Sequence, residues 1–505
     1  MASSLAKINS YLPLKPLQFD PLHHEKPLSL SFPTKNQAPK TLSHFIAQAK
    51  PTINVSTASS PIITTSSVEK PKKAEESDSQ LAQCWPEIHG ATEWEGLLDP
   101  MNPLLRKELI RYGEMAQACY DTFDKDPYSK YSGSSKYIES EFFQSLGLEK
   151  LGYDLTRFLY ATAPAQLPRF FFQAIWPDLE LWTEKANWMG YVAVSNNETT
   201  EKIGRRDITI AWRGTVTQLE WISDLKDFLG TISANKIPSP DKTVKVESGF
   251  LDLYTKNDET CRFCKYSARQ QVLSEVNRLL KKYPTEKLSI SITGHSLGSS
   301  LAILNAYDIA ETGVNVRPNG PVVPVSVFSF AGPRVGNRRF KTRLEHLGVK
   351  VLRVINVNDI VPLAPGIFFN EHVPEVVMRM ACHLPWSYKH VGVELALDQK
   401  NSTFLKRKSN YVYSHDLEVY LHLLDGYHGT GHKFELATKR DHALINKYTD
   451  FLDNKIYKVA PNWKQDENKG MVRDEEGRWV QPDRFRHDIH PSEMHHHLKE
   501  LGLSS

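Results

Sequence analysis

The sequence predicts an α/β fold, a doubly wound, mostly parallel sheet flanked by helices. Three observations predict it. Buried-strand patterns alternate with amphipathic helical ones from Trp188 to Leu424. The stretch Leu288–Ser300, LSISITGHSLGSS, runs from an alternating strand through a Gly-rich turn into helical spacing. Thr215, Ser296 and Asp359 all fall at the C-terminal ends of predicted strands, where such sheets gather ligands.

Composition bounds the rest. The chain has 505 residues, 40% hydrophobic and 24% charged, enough for one large core or two modest ones. Net charge is only +3, and no basic stripe interleaved with aromatics stands out, which excludes a nucleic-acid footprint. No apolar run reaches the length needed to cross a bilayer, so membrane contact is expected at the surface only. Residues 1–80 are rich in Ser, Thr, Pro and Lys and poor in acids over Met1–Lys50, without a hydrophobic period. They read as a transit peptide and disordered leader, with import into a plastid as the expected destination. A folded domain over 81–460, its ordered structure starting near Trp85, and a C-terminal extension over 461–505 follow. Five cysteines are too few and scattered for a disulfide scaffold. Cys261 and Cys264 form the one close pair and lack the companions a zinc site needs, so an inert pair is expected.

Taken in order, Asn102–Ala118 spaces Leu104, Leu105, Leu109, Ile110 and Met115 as an entry helix, with Pro103 suited to its first turn. Leu167–Trp182 is a dense aromatic patch, read as core. Strands follow at Trp188–Val194 and Asp207–Trp212. Leu219–Leu229 is amphipathic and is either a lid over the site or a surface helix. VKVESGF over Val244–Phe250 reads as a strand, and Ser267–Tyr283 as a helix. Val322–Phe330, Lys350–Val357 and Val391–Leu397 read as further strands.

The turn Gly294-His295-Ser296-Leu297-Gly298 has the G-x-S-x-G form of a nucleophile elbow, with a strand before it and a helix after it. That makes the expected fold an α/β-hydrolase and Ser296 its nucleophile. One oxyanion donor is then the N–H of Leu297, and the other comes from the loop closing an earlier strand, at Thr215 behind Gly214. The expected order is nucleophile, acid, base. Asp359 ends a buried strand and fits the acid; Asp398 and Glu394 are rivals. Among 19 histidines, His415 opens a helix beyond Asp359 and fits the base, ahead of His390 and His422. His295, beside the nucleophile, reads as a packing residue. No metal or organic cofactor is required for acyl transfer through such a triad.

WRGT at 212–215, GHSLG at 294–298, FAGPRVGN at 330–337, NDIVP at 358–362 and SHDLEVYLH at 414–422 together resemble the class 3 lipases. The leader, the stretch Trp94–Tyr120 and the Cys261/Cys264 segment resemble the chloroplastic class I phospholipases A1, related to the protein defective in anther dehiscence. The resemblance spans Trp85 to Asp483. It implies Ser296, Asp359 and His415 as the triad and Thr215 with Leu297 as the oxyanion hole. It also implies hydrolysis of the sn-1 ester of phosphatidylcholine-type lipids, with galactolipids and acylglycerols as further substrates, peripheral membrane contact, and a chloroplast location in the stroma or at a thylakoid or plastoglobule surface. Linolenate released there would feed jasmonate synthesis. Glu247 departs from the pattern, standing where a histidine is expected. His487, His490 and His495–His497 have no role in it. Two other readings fit the same residues: a neutral triacylglycerol or monoacylglycerol lipase or an acyltransferase, and a non-catalytic lipid-binding signalling protein.

Overall fold

Asn102 accepts hydrogen bonds from the amides of Leu104 and Leu105, and Pro103 presets the first turn, so the entry helix α1 runs Pro103–Thr122. The computed structural model describes residues 80–126, 129, 133–162, 187–215, 229–231, 236–261, 263–317, 320–365, 388–408, 411–464, 472–480 and 491–503. Order begins slightly before the expected Trp85: residues 80–88 are helical, and Leu81 is fully buried.

The main sheet of the described residues has seven strands: β1 Tyr153–Ala161, β2 Asn187–Ser195, β3 Arg206–Trp212, β4 Leu288–His295, β5 Val325–Phe330, β6 Lys350–Asn356 and β7 Val393–Leu397. They lie side by side in chain order; β1–β2 and β2–β3 are antiparallel and the four remaining pairs parallel. Strand β1 has no counterpart in the sequence reading. Its register slips at Leu155/Arg157 and Leu159/Tyr160, which breaks the period that announces a strand, and its Arg157 is buried against Glu275 at 3.1 Å.

Helices cover both faces. The connections carry α2 Ser248–Thr255, α3 Ala268–Lys282 and α4 Leu297–Glu311 onto one face, where Ile208, Ile210, Ile290, Ile292, Val325 and Val327 meet Val272, Leu301 and Leu304. On the other face α1 packs with α5, Leu417–Gly426, over Phe328, Phe330, Leu352 and Val354. Each aliphatic side chain taken fully from water here contributes roughly 1.5–3 kcal/mol. Ser267 and Gln270 close a capping box that starts α3.

The expected strand Val244–Phe250 holds for only its first half. Lys245–Glu247 pairs in a small four-stranded sheet, and Glu247 then turns its carboxylate onto the Phe250 amide at 2.7 Å, starting α2. The expected helix Leu219–Leu229 lies outside the described residues except for Leu229, which begins the short strand Leu229–Thr231. The leader, the aromatic patch Leu167–Trp182, Cys382, His487 and His490 also lie outside them. Cys84, Cys119, Cys261 and Cys264 are free thiols, and burial pushes the Cys264 thiol up. No helix of the described residues is long and apolar enough to cross a membrane.

Candidate active site

Strand β4 delivers Ser296 into a conformation that its neighbours impose. Its φ of 59° and ψ of −127° are strained for a residue with a side chain. Two glycines make the turn possible. A Cβ on Gly294 would stand 2.4 Å from the Gly298 carbonyl, and one on Gly298 would stand 2.3 Å from the Trp212 oxygen. The Ser296 amide donates to Phe330 O at 2.9 Å, and Ser299 Oγ to Gly294 O at 2.6 Å, pinning the elbow to β5.

The hydroxyl of Ser296 donates to His415 Nε2 at 2.9 Å, and His415 Nδ1 donates to Asp359 Oδ2 at 2.7 Å. The carboxylate only accepts, so it fixes the tautomer that leaves Nε2 free to take the serine proton. Asp359 is 3% exposed and fully engaged: Oδ1 accepts from the Val361 amide at 2.9 Å and Oδ2 also from Tyr420 Oη at 2.7 Å. Tyr420 in turn accepts from the Asn356 amide, and Asn356 Nδ2 holds the carbonyl of Ser414, the residue before His415.

The rivals are occupied elsewhere. His390 donates to Pro362 O at 2.7 Å, and His422 is bonded to Ser402 Oγ at 2.8 Å; burial pushes both down to about 3. Asp398 caps Lys400, and Glu394 pairs with Arg353 at 2.7 Å.

Thr215 is half-buried at the end of the β3 loop, and Leu297 opens α4 directly after Ser296, so its N–H is one of the first-turn donors that the helix itself cannot use. Arg213 Nη1 donates to Gly214 O at 3.0 Å. In a trans peptide the Thr215 N–H then points away from that carbonyl. A Cβ on Gly214 would stand 2.2 Å from the Tyr120 oxygen and 2.6 Å from His295 O, so only glycine passes.

Sequence reading assigned His295 to packing, and the structure gives it more. Tyr120 Oη donates to His295 Nδ1 at 2.7 Å, and His295 Nε2 donates to His415 O at 2.8 Å. Burial, then the neighbouring His415, holds the His295 imidazole well below its ordinary value, so it stays neutral and keeps one donor and one acceptor. A chain of hydrogen bonds thus runs from the Tyr120 hydroxyl, packed beside Gly214, through His295 to the backbone of His415. Its sequence signal is slight: a histidine inside the elbow and a tyrosine at the end of an amphipathic helix.

Thr215, His295 and His415 line a cleft of about 460 Å³ together with Tyr120, Phe123 and Tyr448. Among the described residues no group of three or more His, Cys, Asp or Glu is placed to hold a metal ion.

The fold and this constellation define an α/β-hydrolase equipped for nucleophilic attack on an acyl carbon. Residues 209–369 match the family model "Lipase (class 3)". Phospholipase A1-Igamma2, chloroplastic, of Arabidopsis thaliana is 55% identical over 446 residues, covering 87% of this chain and 84% of its own. Phospholipase A1-Igamma1, chloroplastic, of the same plant is 50% identical over 491 residues, 96% and 95% of the two chains. Galactolipase DONGLE, chloroplastic, also of Arabidopsis thaliana, is 44% identical over 355 residues, 68% and 70%. A solved lipase from Rhizopus microsporus var. chinensis overlaps 60% of this chain and 77% of its own at 21% identity and a TM-score of 0.35, a loose likeness that adds nothing to the fold above. The chain belongs to the class 3 lipase family. It is a carboxylic-ester hydrolase of lipids, and its location is the chloroplast.

Proposed function

We propose that the chain cleaves the sn-1 acyl ester of membrane glycerolipids, as a phospholipase A1, with Ser296 as nucleophile, His415 as base, Asp359 as acid, and the Thr215 and Leu297 amides as oxyanion donors. The observation that carries this is the unbroken line Ser296 Oγ, His415 Nε2, His415 Nδ1, Asp359 Oδ2, with links of 2.9 and 2.7 Å. In the first step Ser296 Oγ bonds to the ester carbonyl carbon while its proton passes to His415, and the two amides take the oxyanion. His415 returns the proton to the leaving lysolipid alkoxide, leaving an acyl-enzyme. Water, deprotonated by His415, then releases the fatty acid. Asp359, held by Tyr420 and the Val361 amide, balances the imidazolium in both steps.

Galactolipids belong among the substrates on this reading, since a relative at 44% identity is a galactolipase. Residues 1–80 would act as the import leader ahead of the hydrolase domain at 81–460 and the extension at 461–505, and contact with the lipid surface would be peripheral. The test uses a phospholipid and a galactolipid with different acyl chains at sn-1 and sn-2. Wild-type protein should release the sn-1 acid first, and Ser296→Ala should lose on the order of 10⁴-fold or more in kcat. Near-normal turnover by Ser296→Ala would overturn the triad, and release of the sn-2 acid the A1 assignment.

A further inference from the structure

The cleft that holds Thr215, His295 and His415 is also lined by four lysines, Lys125, Lys136, Lys447 and Lys464, that the reaction above does not use. They come from separate stretches of chain. Three of them gather about one ring: the ammonium nitrogens of Lys125, Lys447 and Lys464 stand 5.6, 5.7 and 5.9 Å from the centre of Tyr448.

Two of these lysines pair with carboxylates outside the cleft lining. Lys447 bonds Asp121 at 2.5 Å and Glu418 at 3.2 Å, Lys464 reaches Asp121 at 3.3 Å, and Glu418 is shared with Arg440. Neither Asp121 nor Glu418 lines the cleft; Asp416 is the carboxyl that does, and burial together with Glu418 pushes it up to about 7. The Lys464 ammonium is held below its ordinary value by burial and, against the pull of Asp121, by repulsion from Lys447 and Lys136. Four lysines thus line one cleft beside one carboxyl among the described lining residues, a lining that favours an anion over a cation.

We propose that Lys125, Lys136 and Lys464, arranged with Tyr448, form a phosphate subsite that seats the phosphodiester of a net-anionic glycerolipid while its acyl ester lies at Ser296. The inference rests on the glycerolipid-hydrolase reading and adds a head-group preference to it. A lipid with a phosphate and no compensating cation gains most. A choline head group carries an ammonium toward the same lysines and gains less, and an uncharged sugar or acylglycerol gains nothing from them.

The test measures kcat/KM for phosphatidylglycerol and for monogalactosyldiacylglycerol with matched acyl chains, each dilute in micelles of an uncharged detergent. The proteins are wild type, the triple variant K125Q/K136Q/K464Q, and the triple arginine variant K125R/K136R/K464R, which keeps the charge and controls for folding. The glutamine variant should lower the phosphatidylglycerol-to-galactolipid ratio about tenfold or more, the scale of a lost charge-assisted hydrogen bond, and the arginine variant should keep most of it. An unchanged ratio, or equal loss on both lipids, overturns the subsite. At constant ionic strength, competition by glycerophosphoglycerol but not by equal inorganic phosphate supports the head group as the ligand, and equal competition by both refutes it. Weaker sedimentation of the glutamine variant with anionic vesicles beside an unchanged micelle ratio would make the lysines a membrane contact and overturn the proposal. If the wild type hydrolysed neither lipid, the underlying reading would fail, whereas a lysine-independent ratio in an active enzyme sinks the subsite alone.

Discussion

Glu247 offers a test whose sign follows from burial alone. Its side chain is 6% exposed, accepts the Phe250 amide at 2.7 Å to start α2, and is raised from the ordinary carboxyl value of 4.5 to about 7 by burial, against the backbone bonds from Gly249 and Phe250. The folded state therefore holds a proton between pH 4.5 and 7 that the unfolded chain has lost. Stability is full below pH 4.5, falls as pH rises through 7, and is flat above. A carboxyl raised from 4.5 to about 7, at about 1.36 kcal/mol per tenfold change in proton affinity, leaves about 3 kcal/mol withheld at pH 8. Glu247→Gln keeps an acceptor oxygen for Phe250 and removes the charge. It should match wild type at pH 4.5 and be more stable by up to about 3 kcal/mol at pH 8, raising Tm by several degrees there. The assay is thermal unfolding followed by circular dichroism at both pH values. Equal gains at the two pH values would refute the reasoning by showing that the gain does not come from ionisation, and a loss at pH 8 would refute it by showing that the carboxylate is already stabilised where it sits.

Three further substitutions probe the site. Gly298→Ala places a Cβ 2.3 Å from the Trp212 oxygen, so the elbow must shift; kcat should fall at least about 100-fold and Tm with it, and a variant with wild-type kcat would disprove the close approach. His295→Leu leaves Tyr120 Oη and His415 O without their partner at a buried site, so kcat should drop about tenfold to a hundredfold with KM little changed, a positioning effect that a matching rise in KM would contradict. Tyr420→Phe strips one of three donors from Asp359 and should lower kcat about tenfold while ester binding holds; no change in kcat would show that the remaining two donors suffice.

The parts of the site that were legible in the sequence are those written in consecutive residues. Ser296 is announced by its glycines, Thr215 by the end of a buried strand, and His415 and Asp359 by their places at a helix start and a strand end. What stayed hidden was partnership across the chain. Tyr120 meets His295 across 175 positions and Lys447 meets Asp121 across 326, and no local period reports either. Strand β1 stayed hidden for a different reason, since its two register shifts erase the alternation that marks a strand. In VKVESGF the alternation persisted past the end of the strand, because Glu247 ends it as a helix cap, which apolar spacing does not register.

Alternation itself needs a second meaning in this fold. Leu288, Ile290 and Ile292 of β4 face the core, and the intervening Ser289, Ser291 and Thr293 look like a solvent face, yet all are 1% exposed or less. They meet a buried carboxylate instead. Asp207 Oδ1 accepts from Ser289 and Ser291 at 2.6 Å each, and Oδ2 from Thr209, Tyr153 and Tyr112 at 2.7, 2.8 and 2.9 Å. Burial pushes Asp207 up, but Arg205 and these hydroxyls outweigh it and hold it below the ordinary value. The knot fixes α1 against β3 and β4 at Tyr112, where Thr293 Oγ1 also donates to the Tyr112 carbonyl at 3.1 Å. Tyr120 sits about two turns further along the same helix, roughly 12 Å on. The register set by a buried charge at the middle of α1 therefore decides where the Tyr120 hydroxyl arrives near its C-terminal end. There it packs beside Gly214 and bonds His295, which in turn bonds the His415 carbonyl.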